Sequence, residues 1–165
     1  MRFHHMCLVT ADLERSIAFW RDIMGYTLKV KAEIPEDDSP HSICRPKLLD
    51  DSFGVSGARS NMAILTSEDD GTFIELQQPE TPEVQLTPPD RLQYGYTGIR
   101  ELGLVVDDID AMFAKVRAAG LHTQTDYIWS TAHRPVAPGE PTPPDGRSFI
   151  FLDYEGNMIQ LWQYI

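Results

Sequence analysis

Four polar side chains stand at matched places in a chain that writes one phrase twice. The phrase is GTFIELQQ at residues 71–78 and GNMIQLWQ at 156–163, with Glu75 in the first copy where Gln160 stands in the second. Ahead of each copy lies an aspartate suited to cap a helix, Asp12 and then Asp108, and seven residues before each stand His5 and Glu101. An imidazole, two carboxylates and an amide are thus matched by position, His5 with Glu101 and Glu75 with Gln160. Such groups hold a ligand or move a proton when a fold gathers them on one surface.

Strand alternation says which surface that is. On the first strand Met6 and Leu8 share one face, and His5, Cys7 and Val9 share the other. Its counterpart separates Leu102, Leu104 and Val106 from Glu101, Gly103 and Val105. In the repeated phrase Ile74 and Leu76, and again Ile159 and Leu161, form an apolar face fit to lie under a helix. The opposite faces carry Phe73, Glu75 and Gln77, and Met158, Gln160 and Trp162. Apolar and aromatic groups mixed with a few polar ones suit the lining of a ligand cleft better than a solvated face or a core.

The elements that must position these residues recur in order. FHHMCLVTADLERSIAFWRDIMGYTLKV predicts strand, helix, strand, with Asp12 as N-cap, Ile17, Phe19 or Trp20, and Met24 at helical spacing, and Gly25 as the stop. IRELGLVVDDIDAMFAKVRAAGLHTQT repeats the plan, with Met112, Val116 and Ala119 on the stripe and Gly120 as the stop. Each unit closes with a hairpin, NMAILTS into TFIELQQ and RSFIFLD into MIQLWQY. The chain therefore reads as a duplicated βαβββ module. Residues 1–80 form the first module and 99–165 the second, joined by a proline-rich linker over 81–98. Two irregular stretches, about 34–60 with a short helix near RPKLLDDSFG and 128–146, have the length of binding loops or lids.

At 165 residues the chain can bury a core without staples, and its two cysteines, Cys7 and Cys44, form no zinc or disulfide framework. A net charge of -11 repels nucleic-acid phosphates and anionic lipid. No stretch approaches the run of about 18 apolar residues needed to span a membrane. The expectation is a soluble cytoplasmic protein with a small molecule, rather than nucleic acid or membrane, as its partner.

HHMCLVTADLERSIAFWRDIMGY, GTFIELQQP, GIRELGLVVDDIDA and FLDYEGNMIQLWQ, in this order over nearly the whole chain, resemble the vicinal oxygen chelate superfamily, the glyoxalase, bleomycin-resistance and extradiol dioxygenase group. The resemblance implies an α+β fold in which two βαβββ modules form a U-shaped cleft of mixed sheet with helices outside. It also implies a divalent metal, held by residues of the first and last strands of each module. Carried over by position, the ligands are His5, Glu75, Glu101 and Gln160, a set suited to Zn, Ni, Co, Mn or Fe. The second module of the family usually opens with His and closes with Glu, where this chain has Glu101 and Gln160. Only one histidine remains, against the two of an extradiol dioxygenase, which places that chemistry lower. The ligand types are similar to those of glyoxalase I and related isomerases and epimerases.

The expected activity is that of a metal-dependent lyase or isomerase that acts on a small oxygenated molecule through a metal-stabilised enediolate, with Glu75 or Glu101 moving the proton. The alternative is a metal-free binding protein of the bleomycin-resistance type. Each residue also has a plainer reading: His5 as a hydrogen-bonded core histidine, Glu75 and Glu101 neutralised by Arg100 or Arg134, Gln160 bonded across the sheet. Phe73, Met158 and Trp162 are expected to line the cleft, although core residues would look the same. His41, His122 and His133 are expected in solvent, with a substrate contact for His133 and Arg134 if their loop covers the cleft. Family analogy implies a homodimer.

Overall fold

The computed structural model describes residues 3–69, 71–92, 94–135 and 137–165. The chain divides into two compact units, one ending at Leu86 and the other beginning at Thr87. The first contains β1 (His5–Val9), α1 (Leu13–Ala18), β2 (Thr27–Ile34), α2 (Pro46–Phe53), β3 (Arg59–Thr66) and β4 (Phe73–Thr81). In the second, a 3₁₀ turn (Pro89–Leu92) precedes β5 (Glu101–Val105), α3 (Ile109–Ala118), β6 (Trp129–Thr131), β7 (Gly146–Leu152) and β8 (Met158–Tyr164). The sheets run β1-β4-β3-β2 and β5-β8-β7-β6. In each, the unit's first strand runs parallel to its last and the other pairs are antiparallel. This is the α+β, twice-βαβββ architecture that the repeat predicts, except that the second unit's second strand is β6, inside the stretch expected to be irregular, while LHTQT contributes only an isolated bridge from Thr123 to Phe151.

The helix caps explain where the repeat begins. Asp12 accepts from the Arg15 backbone N–H at 3.0 Å and Asp108 from that of Ala111 at 2.9 Å, each satisfying a donor that the first helical turn leaves open. The first helix departs from the expected single stripe. After Ala18 it widens into a π turn over Phe19–Ile23, with Met24 N–H donating to the Phe19 carbonyl at 3.1 Å. Regular α spacing would seat one of two adjacent aromatic residues, whereas Phe19 and Trp20 are both buried here.

Beneath the helices lies the face that alternation assigned to the core. Ile74, Leu76, Ile159 and Leu161 are buried, together with Leu65, Phe149 and Phe151 of the third strands. Phe113 of α3 meets Phe149 edge to face at 4.9 Å. Among the described residues no helix is long and apolar enough to cross a membrane.

Candidate functional site

Strand register decides which polar groups meet. In the first unit Cys7 lies opposite Glu75, His5 opposite Phe73 and Val9 opposite Gln77. In the second, Gly103 lies opposite Gln160, Glu101 opposite Met158 and Val105 opposite Trp162. The two registers are the same, so His5 and Glu75 occupy the places of Glu101 and Gln160. The structure thus brings each within-module pair onto one open face, away from the helix.

On the first unit's face the pair is tightly held. His5 Nε2 stands 3.7 Å from Glu75 Oε2, and its other ring nitrogen, Nδ1, lies 2.9 Å from His4 Nδ1. The His5 ring stacks on Phe73 at 4.9 Å and 4°. Glu75 Oε1 accepts from Gln77 Nε2 at 2.7 Å and from the Cys7 thiol at 3.7 Å. Ser60 Oγ in turn donates to Gln77 Oε1 at 2.6 Å, and both Ser60 and Gln77 are buried. Lost solvation, then the adjacent Glu75 carboxylate, push the Cys7 thiol up to about 12, so it remains a protonated donor. Among the described residues the partners of Glu75 are His5, Cys7 and Gln77, and no arginine is paired with it.

The second unit fills the same face differently. Tyr94 donates its hydroxyl to Glu101 Oε2. Desolvation and that carboxylate push the phenol up to about 12. Arg100 gives its guanidinium to the Arg91 and Thr97 carbonyls at 2.7 and 2.6 Å. Gln160 Nε2 donates to Ser148 Oγ at 3.2 Å. Trp162 lies against Gly146 so closely that a Cβ there would sit 2.3 Å from the indole. Among the described residues the buried indole N–H finds no partner. His133 was expected in solvent, yet it is half-buried and stacks on Trp162 at 5.1 Å and 21°. Its Nδ1 lies 2.6 Å from the Pro144 carbonyl, while Arg134 is exposed. Of the other expected lining residues, Phe73 is half-buried and Met158 buried.

Both units cover part of their open face with the connection between second and third strands. In the first, α2 and its flanks form an apolar cluster of Leu49 and Ala58 with Ile34 and Met62, against which Ala32, Ile64 and Cys44 pack. In the second, the proline-rich stretch that carries His133 does so. Among the described residues, no three His, Cys, Asp or Glu side chains are grouped as they would be to hold a metal.

The family model described as the Glyoxalase/Bleomycin resistance protein/Dioxygenase superfamily matches residues 4–137. The chain belongs to that superfamily. Among solved structures, a glyoxalase family protein from Bacillus cereus is 17% identical, with TM-score 0.76 over 100% of this chain and 95% of that one. The trypanothione-dependent glyoxalase I of Leishmania major is also 17% identical, with TM-score 0.58 over 99% and 86%. A genomically encoded fosfomycin resistance protein from Listeria monocytogenes is 16% identical, with TM-score 0.55 over 100% and 94%. At these identities the likeness is one of fold. No match was found among curated protein sequences. The superfamily match stops before β7 and β8, so the equivalence of Gln160 to Glu75 rests on this chain's own registers.

Sequence reasoning missed Ser60, Tyr94 and Ser148. Alternation had placed Cys7 and Gln77 on the correct face but without a role. Nothing in the linker's composition marks Tyr94 as the partner of Glu101.

Proposed function

We propose that this superfamily member is a glyoxalase-like, metal-dependent lyase or isomerase/epimerase for a small oxygenated organic substrate, with His5, Glu75, Glu101 and Gln160 as the ligands of one divalent ion. The observation that carries this reading is the shared register, which gives each module the same two places for these side chains. The donor atoms fit the role. Among the described residues His5 Nε2, Glu75 Oε2, Glu101 Oε1 and Gln160 Oε1 are each left outside the protein's own hydrogen bonds. Ligand atoms about 2.0–2.2 Å from zinc stand roughly 3–3.5 Å apart, close to the 3.7 Å between His5 and Glu75. With neutral His5 the set carries two negative charges, balancing a divalent ion of Zn, Ni, Co, Mn or Fe.

A bound ion would supply Lewis-acid stabilisation of the negative charge that develops when a substrate with adjacent oxygens loses a proton to an enediolate. The remaining work belongs to the chain. Glu75, with Oε1 occupied by Gln77 and Cys7, has Oε2 to give either to an ion or to a proton, and Glu101, with Oε2 occupied by Tyr94, has Oε1; whichever carboxylate moves the proton does so with an oxygen that is not holding the ion at that moment. Phe73, Met158 and Trp162 line the substrate's apolar body, and His133 and Arg134 contact it from their loop. Residues 1–80 and 99–165 act as the two halves of one domain in a cytoplasmic homodimer.

A second reading, a metal-free binding protein, is favoured by the Trp162–His133 stack and by the absence of a three-member ligand cluster among the described residues. Elemental analysis of untagged protein separates the two. Near-stoichiometric metal that falls about tenfold or more in Glu101→Gln supports the lyase or isomerase. No metal after soaking with Mn, Co, Ni and Zn removes it in favour of sequestration.

A further inference from the structure

We infer that Ser60 and Gln77 form a buried relay that positions Glu75, fixing which carboxylate oxygen faces His5. The inference rests on the proposed ligand role of Glu75 and concerns residues that role does not include.

Ser60 and Gln77 are polar side chains buried at 2% and 6% exposure on strands whose neighbours Met62 and Leu76 are apolar. Burying a hydroxyl and an amide costs free energy unless their bonds are made. Here they are made to each other and to one carboxylate oxygen, with the Asn61 carbonyl a second and longer acceptor for Ser60 Oγ at 3.1 Å. Ser60 Oγ donates to Gln77 Oε1 at 2.6 Å, and Gln77 Nε2 donates to Glu75 Oε1 at 2.7 Å. The chain has a direction: the serine proton fixes the amide orientation, and the amide, having its oxygen occupied, presents N–H to Glu75. A carboxylate held at Oε1 has little freedom about its last torsion. Its Oε2 is then left toward His5 Nε2. Partners of this kind behind a ligand fix its orientation, and losing one typically costs 10–100-fold in metal affinity.

The second unit lacks the relay. By register Gly146 takes the place of Ser60 and Trp162 that of Gln77, and Gln160 turns instead to Ser148. The relay therefore does not follow from the βαβββ frame, which forms without it. A purely structural need for two buried polar groups at these places would have appeared in both halves.

The test compares wild type, Ser60→Ala, Gln77→Met and the double variant. Zinc and cobalt affinities are measured by calorimetry, and the Gln77 side-chain amide signals by NMR in metal-free protein. Expected are a loss of about tenfold or more in affinity for either single variant, and a double variant no worse than the worse single, because both break one chain. In metal-free protein, Ser60→Ala and Glu75→Gln should each move the Gln77 amide resonances. Additive losses, unchanged affinity in Ser60→Ala, or a Gln77 amide indifferent to both substitutions would overturn the relay and leave the metal reading intact. Wild type that binds neither metal would overturn the ligand role of Glu75, and this inference with it. Melting temperatures within a few degrees of wild type confirm that the variants fold.

Discussion

The two modules share a frame and differ in what they place on it. Under the helices the contents nearly repeat: Ile74 answers Ile159, and Leu76 answers Leu161, all buried. On the open faces the same register places carry Ser60 and Gln77 joined by a hydrogen bond in one unit, and Gly146 and Trp162 in ring-to-backbone contact in the other. The covering differs likewise, an amphipathic helix α2 seated through Leu49 against a proline-rich stretch bearing His133. The helix-facing layer is held by the packing demands of a shared core. The open face is free to diverge, and chemistry can accumulate there without disturbing the fold.

The strongest challenge to this view is to make one change in both cores. Leu76→Ala and Leu161→Ala remove fully buried side chains at equivalent places, and each is expected to cost about 2–5 kcal/mol. Urea unfolding should show similar losses for the two. A negligible loss in one would mean that the helix-facing layers are not equivalent after all.

A smaller effect probes the divergent face. Gly146→Ala sets a methyl 2.3 Å from the Trp162 ring, so either indole or strand must shift, at about 1–3 kcal/mol. Because His133 rests on the same indole, the shift should also release its loop, seen as faster amide exchange around residue 133. The corresponding Ser60→Ala crowds nothing, but it leaves the buried Gln77 amide oxygen without its donor and should cost about 1–3 kcal/mol, with no release of the His133 loop. The caps return to likeness: Asp12→Ala and Asp108→Ala each lose one helix-initiating bond and should each cost about 1 kcal/mol.

How much of this was legible in the sequence follows from the range of the signals involved. Alternation with period two sorted His5, Cys7 and Glu75 from Met6, Leu8 and Ile74, because a side chain's face depends only on its own strand. Capping aspartates and stop glycines located both helices for the same reason, their bonds spanning a few residues. The π turn was not legible, since the choice to bury Phe19 and Trp20 together is made by the core around them. Neither was the Ser60–Gln77 bond, which needs the β3–β4 register, nor the seat of α2, whose apolar stripe says that it packs but not on which face. His133 was misjudged as solvated because a lone histidine among prolines carries no sign of the Trp162 ring beneath it.

The last difference between the modules concerns what lies beside the first strand's leading residue. His5 is braced by His4, its own neighbour in sequence, while Glu101 is braced by Tyr94 from the segment before the strand. The Tyr94 phenol is pushed up to about 12, first by desolvation and then by the carboxylate that it serves as donor. A tyrosine in an unfolded chain titrates near pH 10. The folded state therefore holds this proton more tightly than the unfolded state does. The stability it contributes is fully present below about pH 10 and is lost as the pH rises toward 12, where ionisation would set a phenolate against Glu101. Tyr94→Phe cannot ionise and should be less sensitive to pH in that window, although it forgoes the hydrogen bond at neutral pH. Because the side chain is largely exposed, solvent screens the effect, which should be smaller than that of the core, glycine and cap substitutions. Urea midpoints for wild type and Tyr94→Phe between pH 8 and 11.5 provide the measurement, and parallel curves would show that Tyr94 does not hold Glu101 in solution.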